Sequence, residues 1–213
     1  YLDTASSAQK PAAVIESMNT VMTGHYANIH RGLYEFSQRT TSSYEAVRGK
    51  AARFINAFSE DEIVFTRNTT EAINLVAQSW GRAQLRAGDE ILLTGMEHHA
   101  NIVPWQMIAA ERGAVIKVVP VLDNGTLDQD AFAKLVTPRT KMLALVHVSN
   151  ALGTVNPAAE LIKTAKSINP ALAALVDGSQ SAVHGPVDVR TLGCDFFACT
   201  GHKLYGPSGA GFL

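Results

Sequence analysis

Apolar residues recur along this chain with two different spacings. Between residues 11 and 58 they fall three and four apart, the period of one face of a helix. Pro11 opens the first helical segment, Val14, Ile15, Met18, Val21 and Met22 form its apolar face, and Gly24 ends it. A longer helix is predicted after His30-Arg31-Gly32, with Tyr44, Val47, Ala51, Phe54, Ile55 and Phe58 as its stripe. Beyond residue 60 the pattern changes to short apolar runs that alternate with helical periods. Strands are predicted at 62–66, 90–94, 115–119, 141–148, 173–177, 195–200 and 211–213, and helices at 70–83, 102–112, 128–136 and 158–167. Several strands are apolar almost throughout, as strands covered on both faces are. Strand–helix alternation predicts an α/β fold with a mainly parallel (mixed) central sheet flanked by helices. No repeat, low-complexity tract or long linker divides residues 1–213, so one domain is expected.

Composition narrows the function classes. Hydrophobic residues make up 46% and charged residues 17%, enough apolar material for a core and too much for a disordered chain. Lys plus Arg number 18 against 19 for Asp plus Glu, a net charge of −1. No basic excess exists to neutralise a phosphate backbone, so nucleic acid is set aside as the main partner. No apolar run approaches the length of a membrane span, so no membrane partner is expected. Cys194 and Cys199 are the two cysteines, which excludes a disulfide scaffold and a four-cysteine zinc site. The N-terminus lacks the order of a signal peptide, and a reducing cytoplasm is the expected location. The chain opens on Tyr1 with no initiator Met and stops on the apolar Gly211-Phe212-Leu213, so both ends read as cut from something longer.

Ligands in parallel sheets bind beyond the carboxyl ends of the strands, so polar residues there are the candidates. Asp177 ends one predicted strand and leads into Gly178-Ser179-Gln180. Either it caps the next turn, or it keeps a charge that needs a partner. Lys203 follows the apolar run Phe196-Phe197-Ala198-Cys199 and the polar Thr200-Gly201-His202. Either it snorkels at the sheet rim, or it is desolvated, with a lowered pKa and a nucleophilic amine. Taken together, a lysine that forms an imine and an aspartate that pairs with a ring nitrogen are what a pyridoxal phosphate site needs.

Two further segments fit that chemistry. Thr66-Arg67-Asn68-Thr69-Thr70-Glu71 runs from a strand into a helix, where exposed N–H groups and hydroxyls make an anion site. The alternative is an ordinary helix cap with Glu71 in the first turn. Glu97-His98-His99-Ala100-Asn101 follows another strand, and its adjacent histidines do not share the spacing of a zinc site. No metal is expected there. His98 is either an imidazole stacked on a flat cofactor ring or half of a surface pair. No P-loop or nucleophile elbow is present, and Gly206, Gly209 and Gly211 precede a strand rather than a helix, unlike a dinucleotide loop.

These segments resemble the class V, fold-type I pyridoxal phosphate enzymes, and most of all the cysteine desulfurases of the SufS/CsdA type. The resemblance is carried by Tyr1-Leu2-Asp3, residues 28–32, 69–74 and 97–105, Val148-Ser149-Asn150-Ala151-Leu152-Gly153-Thr154, Val176-Asp177-Gly178-Ser179-Gln180, and Gly201-His202-Lys203-Leu204-Tyr205-Gly206-Pro207. It implies that residues 1–213 are the large, pyridoxal 5'-phosphate-binding domain, without the small C-terminal one. It implies that Lys203 holds the cofactor covalently and shuttles the substrate α-proton, with His98 stacked over the ring as the second catalytic residue. Asp177 would pair with the pyridine nitrogen, Gln180 with the ring hydroxyl, and Asn150 would line the pocket. Thr70, Thr200 and His202 would hold the phosphate, with Thr69 nearby.

The implied reaction takes L-cysteine, or in some members L-selenocysteine, to L-alanine. Sulfur stays as a persulfide on an enzyme cysteine and passes to a sulfur-acceptor protein for iron–sulfur cluster assembly. A homodimer is implied as well. Asn68 stands where the family usually has Gly, and Thr200 where Ser is common. Cys194 and Cys199 do not match the persulfide position and are expected as core thiols. The persulfide cysteine and the arginine for the substrate carboxylate are expected beyond Leu213. The alternatives are another class V enzyme (a selenocysteine lyase, epimerase or aminotransferase) or a non-catalytic, cofactor-binding remnant.

Overall fold

The structure, a computed structural model, describes residues 1–213. Helix α1 (Ala12–Thr20) starts directly after Pro11, whose fixed φ and missing N–H cost nothing there, and ends in a π-helical turn at Val21–His25. The long α2 (Glu35–Phe54) follows. Strand and helix then alternate: β1 (Phe65–Thr66), α3 (Thr69–Val76), α4 (Arg82–Gln84), β2 (Glu90–Thr94), α5 (Val103–Arg112) and β3 (Val115–Val119). The second half holds α6 (Gln129–Leu135), β4 (Thr140–Val146), α7 (Ala158–Ile168), β5 (Ala173–Asp177), α8 (Ser181–His184), α9 (Val189–Leu192), β6 (Phe196–Thr200) and β7 (Gly211–Phe212). Local chemistry sets the ends. Asp128 and Asp188 accept N–H bonds from Ala131 and Thr191 to start α6 and α9, and Gly113 ends α5 at φ 70°.

The seven strands form one sheet in the order β1-β7-β6-β5-β4-β2-β3. The five strands from β6 to β3 are parallel, while β7 pairs antiparallel with both β6 and β1. The sheet is covered on both faces. Leu143 and Leu145 of β4 point into one core with Leu92, Val176, Phe197 and Ile162. Met142 and Ala144 point into the other with Ile91, Leu175, Ile73, Trp105 and Ile108. This two-sided alternation explains why β2, β4 and β5 read as unbroken apolar runs.

Two expectations are corrected. The strand predicted at 62–66 shortens to Phe65–Thr66: Glu62 closes a 3-10 turn at Glu60–Glu62, where Ser59 accepts the Asp61 N–H, and Val64 still exchanges backbone bonds with Leu213. The strand expected at 115–119 is present over Val115–Val119, as an edge strand with Val115 and Val118 exposed. The stripe predicted for α2 faces the core only in part: Ile55, just past the helix, is buried in it and Ala51 packs against it. Only Ser37, Gly49 and Ala52 of that helix are buried, whereas Tyr44, Val47 and Phe54 stay exposed and line an apolar groove with Phe65 and Phe212. Helical periodicity reports a face that seeks cover, and nothing within these residues covers its exposed part.

Candidate functional site

The carboxyl ends of β2, β4, β5 and β6 and the start of α3 surround a largely polar cavity of about 350 Å³. It brings together every candidate residue: Thr69, Thr70, His98, Asn150, Asp177, Gln180, Thr200, His202 and Lys203. Asp3, Ala5 and Ser6 of the N-terminal segment, Asn68, Ala100, Val146 and Ser179 complete the wall.

Asp177 is the last residue of β5 and is buried. Its Oδ1 accepts the Ser179 N–H at 2.9 Å, and Oδ2 is left for the cavity. The turn-cap role and the charged role therefore coexist, one oxygen each. Gly178 makes this possible: a Cβ there would stand 1.9 Å from Cζ of Phe197. Ser179 in turn donates its hydroxyl to Thr69 Oγ1 at 2.8 Å and ties β5 to the start of α3.

Helix α3 begins with Asn68, which accepts the Glu71 N–H at 2.9 Å, while Glu71 accepts the Arg67 N–H at 2.5 Å. The ordinary cap is thus real, and it leaves the first helical N–H groups, at Thr69 and Thr70, at the cavity wall. Asn68 has φ −174°, extended backbone that any residue adopts, so this position does not require the usual Gly.

At the end of β6, Thr200 is buried and its hydroxyl has no hydrogen-bond partner. A buried orphan hydroxyl on a cavity wall marks a place where a ligand atom belongs. Lys203 is half-buried, and burial pushes its amine below the usual lysine range against the pull of Asp177. Burial also pushes His202 down, helped by the charges of Lys203 and Lys10. The N-terminal segment is strapped onto this loop. The His202 carbonyl accepts the Ala8 N–H at 2.9 Å and the Lys10 ammonium at 3.3 Å, and Gln180 Nε2 donates to the Ala5 carbonyl at 2.8 Å.

His98 accepts the Ala100 N–H on Nδ1 at 3.1 Å, which puts the proton of its neutral ring on Nε2. Two parts of the site were missed from sequence. Of the strap only Tyr1-Leu2-Asp3 gave a signal, as part of the family resemblance, and no property of Asp3–Ser6 says where it folds. Glu97 gave one, an acid just past a buried strand with no Lys or Arg beside it in sequence. Cys194 and Cys199 lie in or against the core, and burial pushes both thiols up to about 12. Neither lines the cavity.

The arrangement defines an α/β protein with a lysine amine and a buried carboxylate facing one polar cavity at the rim of a parallel sheet. The chain belongs to the aminotransferase class-V family, whose model matches residues 1–213. It is 54% identical over all 213 residues to a cysteine desulfurase of Cronobacter sakazakii, and 52% identical to one of Dickeya dadantii. The alignments cover 100% of this chain but 52% and 51% of those proteins, so the chain spans about half the length of the curated relatives it matches. The fold matches the crystal structure of the cysteine desulfurase CsdA of Escherichia coli with a TM-score of 0.91 at 45% identity, over 100% of this chain and 53% of that one. An apo cysteine desulfurase of Thermococcus onnurineus matches with a TM-score of 0.94 at 39% identity, over 100% of this chain and 52% of that one.

Proposed function

We propose that these residues form the cofactor-binding part of a pyridoxal 5'-phosphate-dependent cysteine desulfurase. One observation carries the cofactor reading: the half-buried Lys203 amine shares its cavity with Asp177 and the orphaned Thr200 hydroxyl. The donor set fits the group. The start of α3, Thr70, Thr200 and His202 supply N–H, hydroxyl and imidazole donors for a phosphate, with Thr69 held nearby by Ser179. Asp177 Oδ2 suits a protonated ring nitrogen, and the amides of Gln180 and Asn150 suit the ring hydroxyl.

When bound, the cofactor supplies a carbonyl that captures an amine and a ring that draws electrons from the substrate's α-carbon. The chain's residues do the rest. Desolvation keeps more of Lys203 neutral at a given pH, so Nζ serves as nucleophile towards the cofactor and then as the base that moves the α-proton. Asp177 places a buried carboxyl oxygen on the cavity wall, where a positive ring would be favoured. His98 presents a flat neutral ring with its donor on Nε2.

The relatives' names support L-cysteine as substrate, with L-selenocysteine as the close alternative. Buried thiols pushed up to about 12 are poor nucleophiles, so the sulfur-carrying cysteine would come from outside these residues. A homodimer with a separate sulfur-acceptor protein completes the proposal, and the exposed apolar groove beside α2 is consistent with further covering surface. The expected location is the cytoplasm; both cysteines are free, and no helix is long and apolar enough to cross a membrane.

The test is product analysis. The full-length protein with pyridoxal phosphate, L-cysteine and a thiol reductant should yield alanine and sulfide in equal amounts. Racemised cysteine or a transaminated keto acid, with no alanine, would assign it to another class V reaction.

A further inference from the structure

We propose that Glu97 is a positioning residue for the bound cofactor: it clamps the turn that carries His98 onto strand β4 and thereby sets how the imidazole lies over the cavity. The proposal rests on the pyridoxal phosphate reading above. Glu97 sits between the end of β2 and the start of α5, and its side chain is buried. Its two oxygens gather donors from three segments. Oε1 accepts the Thr94 hydroxyl at 2.5 Å and the Val146 N–H at 2.9 Å, and Oε2 accepts the Asn101 amide at 2.7 Å. Asn101 is itself fixed, because its Oδ1 accepts Trp105 Nε1–H at 2.9 Å.

The donor pattern specifies a carboxyl group, with an acceptor oxygen on each side. Trp Nε1 and a backbone N–H only donate. Trp105 therefore turns the Asn101 oxygen towards itself and leaves that amide's NH₂ facing Glu97. Val146 N–H faces the other oxygen. Position 97 must offer an acceptor on both sides, and a glutamine offers one. The isosteric Glu97→Gln change leaves two donors facing each other at Asn101 or at Val146.

The anchor point is what links this network to the site. Val146 lines the cavity and pairs in register with Asp177 on β5. The clamp therefore fixes the His98 turn relative to the strand position next to the ring-nitrogen carboxylate. His98 has no long-range hydrogen bond of its own; its Nδ1 contact is with Ala100, two residues on. The orientation of its ring is inherited from the turn. Glu97 is also a costly choice for packing alone. Burial and the nearby Asp177 charge push its carboxyl up to about 7, and apolar side chains would fill a buried site without that penalty.

The test is a double-mutant cycle on the full-length protein, read as the dissociation constant of pyridoxal phosphate and the visible circular dichroism of the bound cofactor. Wild type, Glu97→Gln, His98→Ala and the double variant are compared, with attachment at Lys203 checked in each by borohydride reduction. Glu97→Gln is expected to weaken binding about tenfold and to reduce the dichroic band when His98 is present, and to change neither by more than about twofold in the His98→Ala background. Thr94→Val removes one donor and keeps the carboxyl group. It gives a milder change in the same direction, again only with His98 present, and decides the matter if Glu97→Gln does not fold. Equal losses with and without His98, or no loss in either, overturn the assignment while the Lys203 adduct leaves the cofactor reading standing. A wild-type protein with no Lys203 adduct overturns both.

Discussion

Asp177 and Glu97 are two buried carboxylates near one another, and the structure treats them differently. Asp177 has Lys203 and the cavity beside it, whereas Glu97 has only neutral donors and the Asp177 charge. Its carboxyl is pushed from 4.5 to about 7, first by burial and then by Asp177, against the pull of its hydrogen bonds. The fold therefore binds a proton there more tightly than the unfolded chain does. That contribution is full below pH 4.5 and is lost as pH rises through 7. Between pH 5 and 8, cofactor-free wild type should lose more unfolding free energy than Glu97→Gln, by up to about 3 kcal/mol. Denaturant melts of both at the two pH values measure it, and since other groups titrate in both proteins, parallel pH slopes would contradict it. The nine candidate side chains were legible in sequence because each follows a predicted strand or starts a helix, and their order resembles one family. Glu97 stood out only as an acid past a buried strand; its role depends on donors from Thr94, Asn101 and, across the sheet, Val146, which no local pattern announces.

At the scale of elements, two exits from the sheet are tuned by small features. The turn after β5 depends on Gly178, whose missing Cβ leaves room for the Phe197 ring. Gly178→Ala should cost about 2 kcal/mol or more through overpacking and should weaken cofactor binding by displacing Asp177. Melting and titration of the same variant read both effects, and an unchanged affinity would show that the turn does not set Asp177. The start of α3 depends on Asn68, and Asn68→Ala should cost about 1 kcal/mol with little change elsewhere in the fold. The central strands were readable because a strand buried on both faces must be apolar at every position. The edges were readable in part. The 3-10 turn at Glu60–Glu62 shortens one predicted strand, and β3 keeps its apolar residues although one side meets solvent.

For the whole molecule, topology does what no segment does alone. Residues from 3 to 203 reach one cavity because the parallel strands all present their carboxyl ends to the same rim. The apolar groove beside α2 shows the other side of that economy. Tyr44 is 36% exposed and Val47 and Phe54 are each 47% exposed, an apolar face larger than scattered surface residues explain. The 213 residues expressed alone should bind an apolar fluorescent dye and aggregate, whereas the full-length protein should bind no dye and stop at the dimer. Equal dye binding by both would mean that the groove is open in the whole protein as well.

The central claim is that Lys203 takes pyridoxal phosphate in this cavity. Titrating the full-length protein with the cofactor, reducing with borohydride and mapping the modified peptide tests it most directly. One labelled residue is expected, Lys203, with loss of that label in Lys203→Ala while the fold stays intact. A folded protein that carries no label, or carries it on another lysine while Lys203 stays unmodified, would contradict it.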